Sequence, residues 1–151
     1  MPSNIYLKIA GIDGASKVKG FEKQIEVFSF SHGVSFPMTS GARSDEGDDR
    51  QGRSHHEDFT IVKKADDTSP NLFLHCSSGK LLSNATLSIM GNDQKKIFAF
   101  ELEKVFITSV SVSGGPGDDP IETVTLNYAS IKWTEGVSNS TDWSLEKNDR
   151  K

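Results

Sequence analysis

The sequence predicts a mainly β protein: a compact antiparallel β-barrel or sandwich with one short α-helix and a long extended loop. Three observations carry this. Apolar and polar residues alternate at the strand period in segment after segment. Clusters of Gly, Pro, Asn and Asp punctuate those segments at turn positions. One stretch alone, SPNLFLHCSS at 69–78, carries helix caps.

In chain order, Ile5, Leu7 and Ile9 alternate with Tyr6, Lys8 and Ala10, which is a half-buried strand. The loop GIDGASKVKG follows, and then QIEVFSFSHGVSF at 24–36. In its later part Phe28, Phe30, Val34 and Phe36 share one face with His32, while Ser29, Ser31, Gly33 and Ser35 share the other. Ile25 and Val27 are out of phase with the phenylalanines, so a bulge is expected near Val27-Phe28. Residues 37–57, PMTSGARSDEGDDRQGRSHHE, contain almost nothing to bury, and a loop of that length inside a compact domain is functional or disordered.

DFTIVKKAD is the next strand. The helix 69–78 then has Ser69 as N-cap, Pro70 at the first helical position and Gly79 just past the end. ATLSIMGNDQKKIFAFELEKVFITSVSVS reads as two strands about a tight turn at Gly91 to Gln94, the second changing phase near Lys104-Val105. GGPGDDP at 114–120 is turn chemistry, and ETVTLNYASIKWTE is a last long strand. No repeat or second domain is visible. The expected division is a β-domain over 1–135 and a polar tail over 136–151.

Composition narrows function. Of 151 residues, 34% are apolar and 25% charged, and the net charge is −4. That suits one soluble domain and argues against a nucleic-acid binder, which carries a basic footprint. No apolar run is long enough to span a membrane. A single cysteine permits no internal disulfide. The opening residues MPSNIYLKIAG lack a signal peptide's basic start and apolar stretch, so folding in the cytoplasm is expected, with any export outside the general secretory route.

Four constellations invite a chemical reading. His75-Cys76 resembles a thiol–imidazole pair, but neighbours on a helix point about 100° apart. Leu72 and Cys76, at i and i+4, share a face with Phe73 beside them, so a structural cysteine is favoured over a reactive one. His55-His56-Glu57-Asp58 places its two histidines on opposite faces if extended and matches no zinc signature. The acidic run Asp45-Glu46-Gly47-Asp48-Asp49 lacks the alternating ligands of a calcium loop. The glycines of GGPGDDP are followed by neither Gly-Lys-Ser/Thr nor a helix, so they make no phosphate loop. No metal or cofactor is expected, and nothing positions a catalytic pair. The small face Ser29-Ser31-Gly33-Ser35 suits either a strand close to another surface or an ordinary solvated face.

Taken together, IYLKIAGIDGASKVKGFEKQIEVFSFSHGVS, HHEDFTIVKKADDTSPNLFLHCSSGKLLSNATLSI, VFITSVSVSGG and PIETVTLNYASIKWTE resemble the Hcp family, the tube-forming proteins of the bacterial type VI secretion system. The pattern spans roughly residues 4–135, and its most specific portion is the order Phe-Thr-x-x-Lys, Asp, Ser-Pro-x-Leu. The resemblance implies a non-enzymatic subunit that closes into a homohexameric ring. Rings stack head to tail into a tube that lies inside a sheath, is capped by a spike protein and carries effectors out of the bacterial cytoplasm. It implies that the loop reaches the next ring, with Arg43, Asp45, Glu46, Asp48, Asp49, Arg50 and Arg53 as stacking candidates. It also implies a lumen wall at Ser29, Ser31, Ser35, Asn71, His75 and Ser78, and a helix face Leu72, Phe73 and Cys76 sealing the barrel. Two departures stand out: the loop is more charged than glycine-rich versions, and His32 stands where a large aromatic is common. The competing classes are a cysteine hydrolase using Cys76 and a monomeric ligand-binding β-barrel.

Overall fold

The computed structural model describes residues 4–36, 54–91, 95–136 and 139–149. The loop candidates Arg43, Asp45, Glu46, Asp48, Asp49, Arg50 and Arg53 lie outside the described residues, as does the centre of the turn expected at Gly91 to Gln94. The strands are β1 (Ile5–Ile9), β2 (Ile25–Val27), β3 (Ser29–Ser31), β4 (Val34–Ser35), β5 (His55–His56), β6 (Phe59–Lys64), β7 (Leu82–Met90), β8 (Lys96–Ser113), β9 (Ile121–Asn127), β10 (Ser130–Glu135) and β11 (Asn139–Ser144). The helix α1 (Ser69–Ser78) lies between β6 and β7 and packs against β8.

All the ladders are antiparallel, in the order β2-β1-β7-β8-β9-β6-β3, with β10 also on β8 and β11 on β10. The long strand β8 belongs to two layers. Its first part, up to Val105, pairs with β7 and β10, and its second part, from Phe106, pairs with β9. The transfer falls at Lys104, whose φ of 53° is left-handed, a conformation a side chain adopts only under local constraint. The inward residues change phase there, from Phe100 and Leu102 to Val105 and Ile107. That is the phase change read from the sequence.

The other end of the sheet shows a similar device. Ile25 and Val27 are fully buried in β2, against β1. At Phe28 the chain leaves that layer, and Phe28 N–H donates to Val62 O at 2.8 Å as β3 joins β6. The expected bulge at Val27-Phe28 is therefore a change of layer. The two end strands of the path are consecutive pieces of chain, so the curled sheet turns back on itself without a closing ladder. The core between the layers includes Leu7, Ile9, Ile25, Val27, Phe59, Ile61, Leu87, Leu102, Val124, Leu126 and Ile131.

Three expectations need correction. ETVTLNYASIKWTE is two strands, β9 and β10, broken at Tyr128-Ala129 where the chain passes from one layer to the other. The residues expected as a tail contain β11, which continues the sheet beyond β10 and packs Trp143 and Leu145 against the core. The N-cap of α1 is Thr68 rather than Ser69, with Pro70 within the first turn and Gly79 left-handed at the C-cap. Ser69 Oγ instead accepts from Asp66 N–H at 2.9 Å.

Candidate functional site

A helix of ten residues is marginal in water, so α1 depends on what it packs against. Leu72 is its one fully buried residue, and Cys76, one turn on, is half-buried against the core. Burial of a leucine side chain contributes about 1.5–3 kcal/mol. Phe73 departs from the expected sealing face: 100° round the helix from Leu72, it is 39% exposed. Leu74, beside it, and Leu81, beyond the C-cap, are also exposed. Asn71 and Ser78 are exposed and His75 is half-buried. The carbonyl of His75 accepts from Lys80 N–H at 3.1 Å, which finishes the helix.

A buried ionic clamp fixes the start of this helix. Lys63 lies on the inward phase of β6 and directly opposes Glu122 of β9 in the ladder. Both side chains are shut from solvent, at 0% and 1% exposure. Lys63 Nζ donates to Glu122 Oε2 at 2.9 Å, to Asp66 Oδ1 at 3.1 Å and to the Lys64 carbonyl at 2.9 Å. An ammonium has three donors, and all three are used. Asp66 Oδ1 in turn accepts from Thr68 N–H at 2.8 Å and from Thr68 Oγ1–H. The order Phe59-Thr60-x-x-Lys63, Asp66, Ser69-Pro70-x-Leu72 thus has a physical meaning: it ties strand, turn and helix start into one hydrogen-bonded unit. Sequence reasoning used this order but missed Glu122. The signal was a charged residue in phase with buried Val124 and Leu126.

The serine face is split between edge elements. Ser29 and Ser31 of β3 are exposed, while Phe30 between them turns inward onto Phe59 (6.0 Å between ring centres) and Phe100 (5.5 Å). Ser35 lies farther along on β4 and is exposed. The expected aromatic face is only partly buried. Phe28 is 49% exposed, and Val34 and Phe36 are exposed, because the chain changes layer at Phe28 and leaves the main sheet after Ser31. The serines and the helix positions Asn71, His75 and Ser78 sit on separate elements, β3–β4 and α1.

A second cluster went unread in the sequence. His32 is half-buried among Phe59, Phe100, Tyr128 and Trp133. Its Nδ1 is 3.3 Å from Tyr128 Oη and its Nε2 accepts from Trp133 Nε1–H at 3.4 Å. Tyr128 Oη–H donates to the carbonyl of Glu57 at 3.1 Å. Burial pushes the Tyr128 hydroxyl well above its ordinary range, with the carboxylates of Asp58 and Glu57 adding to the shift. Next to this cage, Val34, Phe36, His56, Trp133 and Trp143 line an apolar cleft of about 260 Å³. His55 is exposed and His56 half-buried, and among the described residues no group of three or more His, Cys, Asp or Glu suits a metal ion.

The outer face of the β1-β7-β8-β10 layer holds an open polar groove of about 620 Å³. It mixes Lys8 and Lys132 with Glu101, Glu103 and Asp142, and Lys132 approaches Glu101 at 3.8 Å. Exposed pairs of this kind contribute little, about 0–1 kcal/mol. Among the described residues no helix is long and apolar enough to cross a membrane.

A family model described as type VI secretion system effector, Hcp, matches residues 6–134. The chain is 34% identical over 136 residues to protein hcp1 of Pseudomonas aeruginosa, covering 87% of this chain and 82% of that one. In structure it is similar to Hcp1 from Salmonella typhimurium, with a TM-score of 0.85, 24% identity and all of both chains covered. It is also similar to a double mutant of Hcp1 from Escherichia coli EAEC 042, with a TM-score of 0.81, 25% identity, and 94% of this chain and 99% of that one covered.

Proposed function

This chain belongs to the Hcp family of type VI secretion tube subunits, and from that premise we propose that it forms six-membered rings that stack head to tail. The observation that carries the reading is the extent of the match, which spans residues 6–134 and so nearly the whole described fold. Its role is structural rather than catalytic. Cys76 is half-buried and packs against the core as a small apolar residue, which favours a structural thiol over a nucleophile. The rings form the expelled tube, inside the sheath and below the spike protein, and carry effectors from the cytoplasm to the outside.

The exposed apolar residues support association. Phe73, Leu74 and Leu81 in and just after the helix, with Phe106 and Val112 on β8, are each exposed, and burial of such side chains between subunits favours association. Ser29, Ser31 and Ser35, with Asn71, His75 and Ser78, supply a small polar lining that cargo passes without tight sticking. Arg43, Asp45, Glu46, Asp48, Asp49, Arg50 and Arg53 set register between rings through charge complementarity, so stacking weakens with salt.

Native mass measurement tests the ring: six subunits are expected, and a monomer alone at high concentration refutes it. Deleting residues 42–53 is expected to preserve rings and impair tube growth, and unchanged tubes remove the loop from stacking. Ser31→Gln is expected to keep the ring and reduce cargo retention, and full retention moves the lumen elsewhere.

A further inference from the structure

The strands β4 and β5 pair with each other and, among the described residues, with no other strand. This small arm is fastened to the body at its roots. Glu57 N–H donates to the Gly33 carbonyl at 2.9 Å, which joins the two roots. Tyr128 Oη–H then donates to the Glu57 carbonyl at 3.1 Å, which fixes them to the body. His32, one residue before Gly33, completes the circuit.

The direction of each hydrogen bond follows from chemistry. An indole N–H only donates. His32 Nε2, 3.4 Å from Trp133 Nε1, must therefore accept, and the ring is neutral with its proton on Nδ1. Nδ1–H then donates to Tyr128 Oη at 3.3 Å, and Tyr128 keeps its own proton for Glu57. The circuit is consistent for one tautomer of one protonation state. An imidazolium would set Nε2–H against the indole N–H, donor against donor, in a cage built from Phe59, Phe100 and Trp133. Phe59 stacks at 5.4 Å, but its face supplies no acceptor for that N–H.

We propose that His32 is a proton-operated latch, which holds the β4–β5 arm to the body while neutral and releases it when protonated. The groups around it decide the direction. Burial pushes His32 below its ordinary value. The Glu57 carbonyl and carboxylate oppose that shift, and His56 adds to it. Asp58 acts on Tyr128, which stays protonated. His56 works in the same direction as His32: burial also lowers it, with His55 adding, and its Nδ1 is buried with no hydrogen-bond partner among the described residues. Its ring stacks on Trp133 (6.2 Å) and Trp143 (6.5 Å), whose faces attract a cation, so it is burial and not the stacking that opposes a second proton there. A base whose value is depressed in the closed state favours closure most above the ordinary histidine range. Closure is lost as pH falls from that range through the closed-state value.

The bearing of the latch on tubes rests on the reading of residues 42–53 as the ring-to-ring contact; the latch itself does not. Hydrogen exchange at the amides of residues 34, 35 and 55–57, corrected for intrinsic rates, follows the arm from about pH 8 to about pH 5. Nitrogen NMR of the histidine rings follows His32 in the same protein. Expected are an Nδ1–H tautomer at high pH and arm protection that falls about tenfold per unit of difference between the open and closed values. Amides of β7 and β8 should hold steady. His32→Phe should flatten the arm's pH dependence, and His56→Gln should leave a transition at His32. Protection that stays flat while His32 titrates overturns the latch, as does an Nε2–H tautomer at high pH, and both are read on the wild-type chain if His32→Phe fails to fold. Sedimentation of tubes over the same range separates the two claims. Tubes lost with the arm support both, whereas an arm that opens with tubes unchanged upholds the latch and overturns the stacking role of 42–53.

Discussion

Replacing Lys63 by methionine keeps most of the length of the side chain and removes its charge. Glu122, 1% exposed and opposite in the ladder, is then buried with no cation. Asp66 also loses its bond to Nζ, which weakens the turn that starts α1. Removing one partner of a buried pair costs about 3–5 kcal/mol, a large share of a typical total of about 5–15 kcal/mol. For a chain of this size each kcal/mol moves Tm by about 2–4 °C, so a fall of roughly 6–20 °C is expected. Glu122→Gln should cost less, because Lys63 keeps Asp66 and the Lys64 carbonyl. Lys63→Met with Glu122→Leu should recover most of the loss, since an apolar pair of similar volume removes both charges together. The assay is thermal and urea unfolding at one matched protein concentration, because self-association raises apparent stability. A Tm change under about 2 °C for Lys63→Met, or a double variant no better than the single one, would refute the reasoning.

Gly14→Ala should destabilise by about 1–3 kcal/mol, because a Cβ there would lie 2.3 Å from the Gln24 carbonyl oxygen, against fixed backbone; urea unfolding checks it. Leu72→Ala should cost about 2–5 kcal/mol by the same measure, since it empties a fully buried site under the helix. Phe73→Asp should leave the unfolding midpoint of the dissociated chain nearly unchanged and reduce ring formation in native mass spectra. Cys76→Ala should support ring assembly and effector export at the wild-type level, and loss of export with intact rings would return the thiol to contention.

Much of this fold was legible because strand period reports burial directly. The strands read at β1, β6 and β7, and the phase shifts at Val27-Phe28 and Lys104-Val105, correspond to structure, although Tyr6, expected on the outward phase of β1, is buried and stacks on Phe21. What the phase shifts could not convey was their cause. A local bulge and a strand that crosses to another layer give the same pattern, and only long-range pairing separates them. The break at Tyr128-Ala129 carried the same signal, since buried positions pass from Leu126 and Tyr128 to Ile131, but continuous strand-forming residues hid it. β11 was illegible for a different reason. NSTDWS has one large apolar residue, and its strand state comes from β10 beside it. Of the site, the small serines were visible as a pattern. The His32 cage was not, because its members come from distant segments and meet only after the layers pack.

The length of β8 has a mechanical consequence. Its 18 residues, about 60 Å if fully extended, run through both layers without a break in the chain. Force applied to one layer therefore reaches the other along covalent backbone rather than through side-chain friction. To slide the layers apart, a load along β8 must shear its ladders with β7, β10 and β9 together instead of peeling bonds one at a time. In the expelled tube proposed above, loads of that kind fall along this strand, which serves each subunit as a spine.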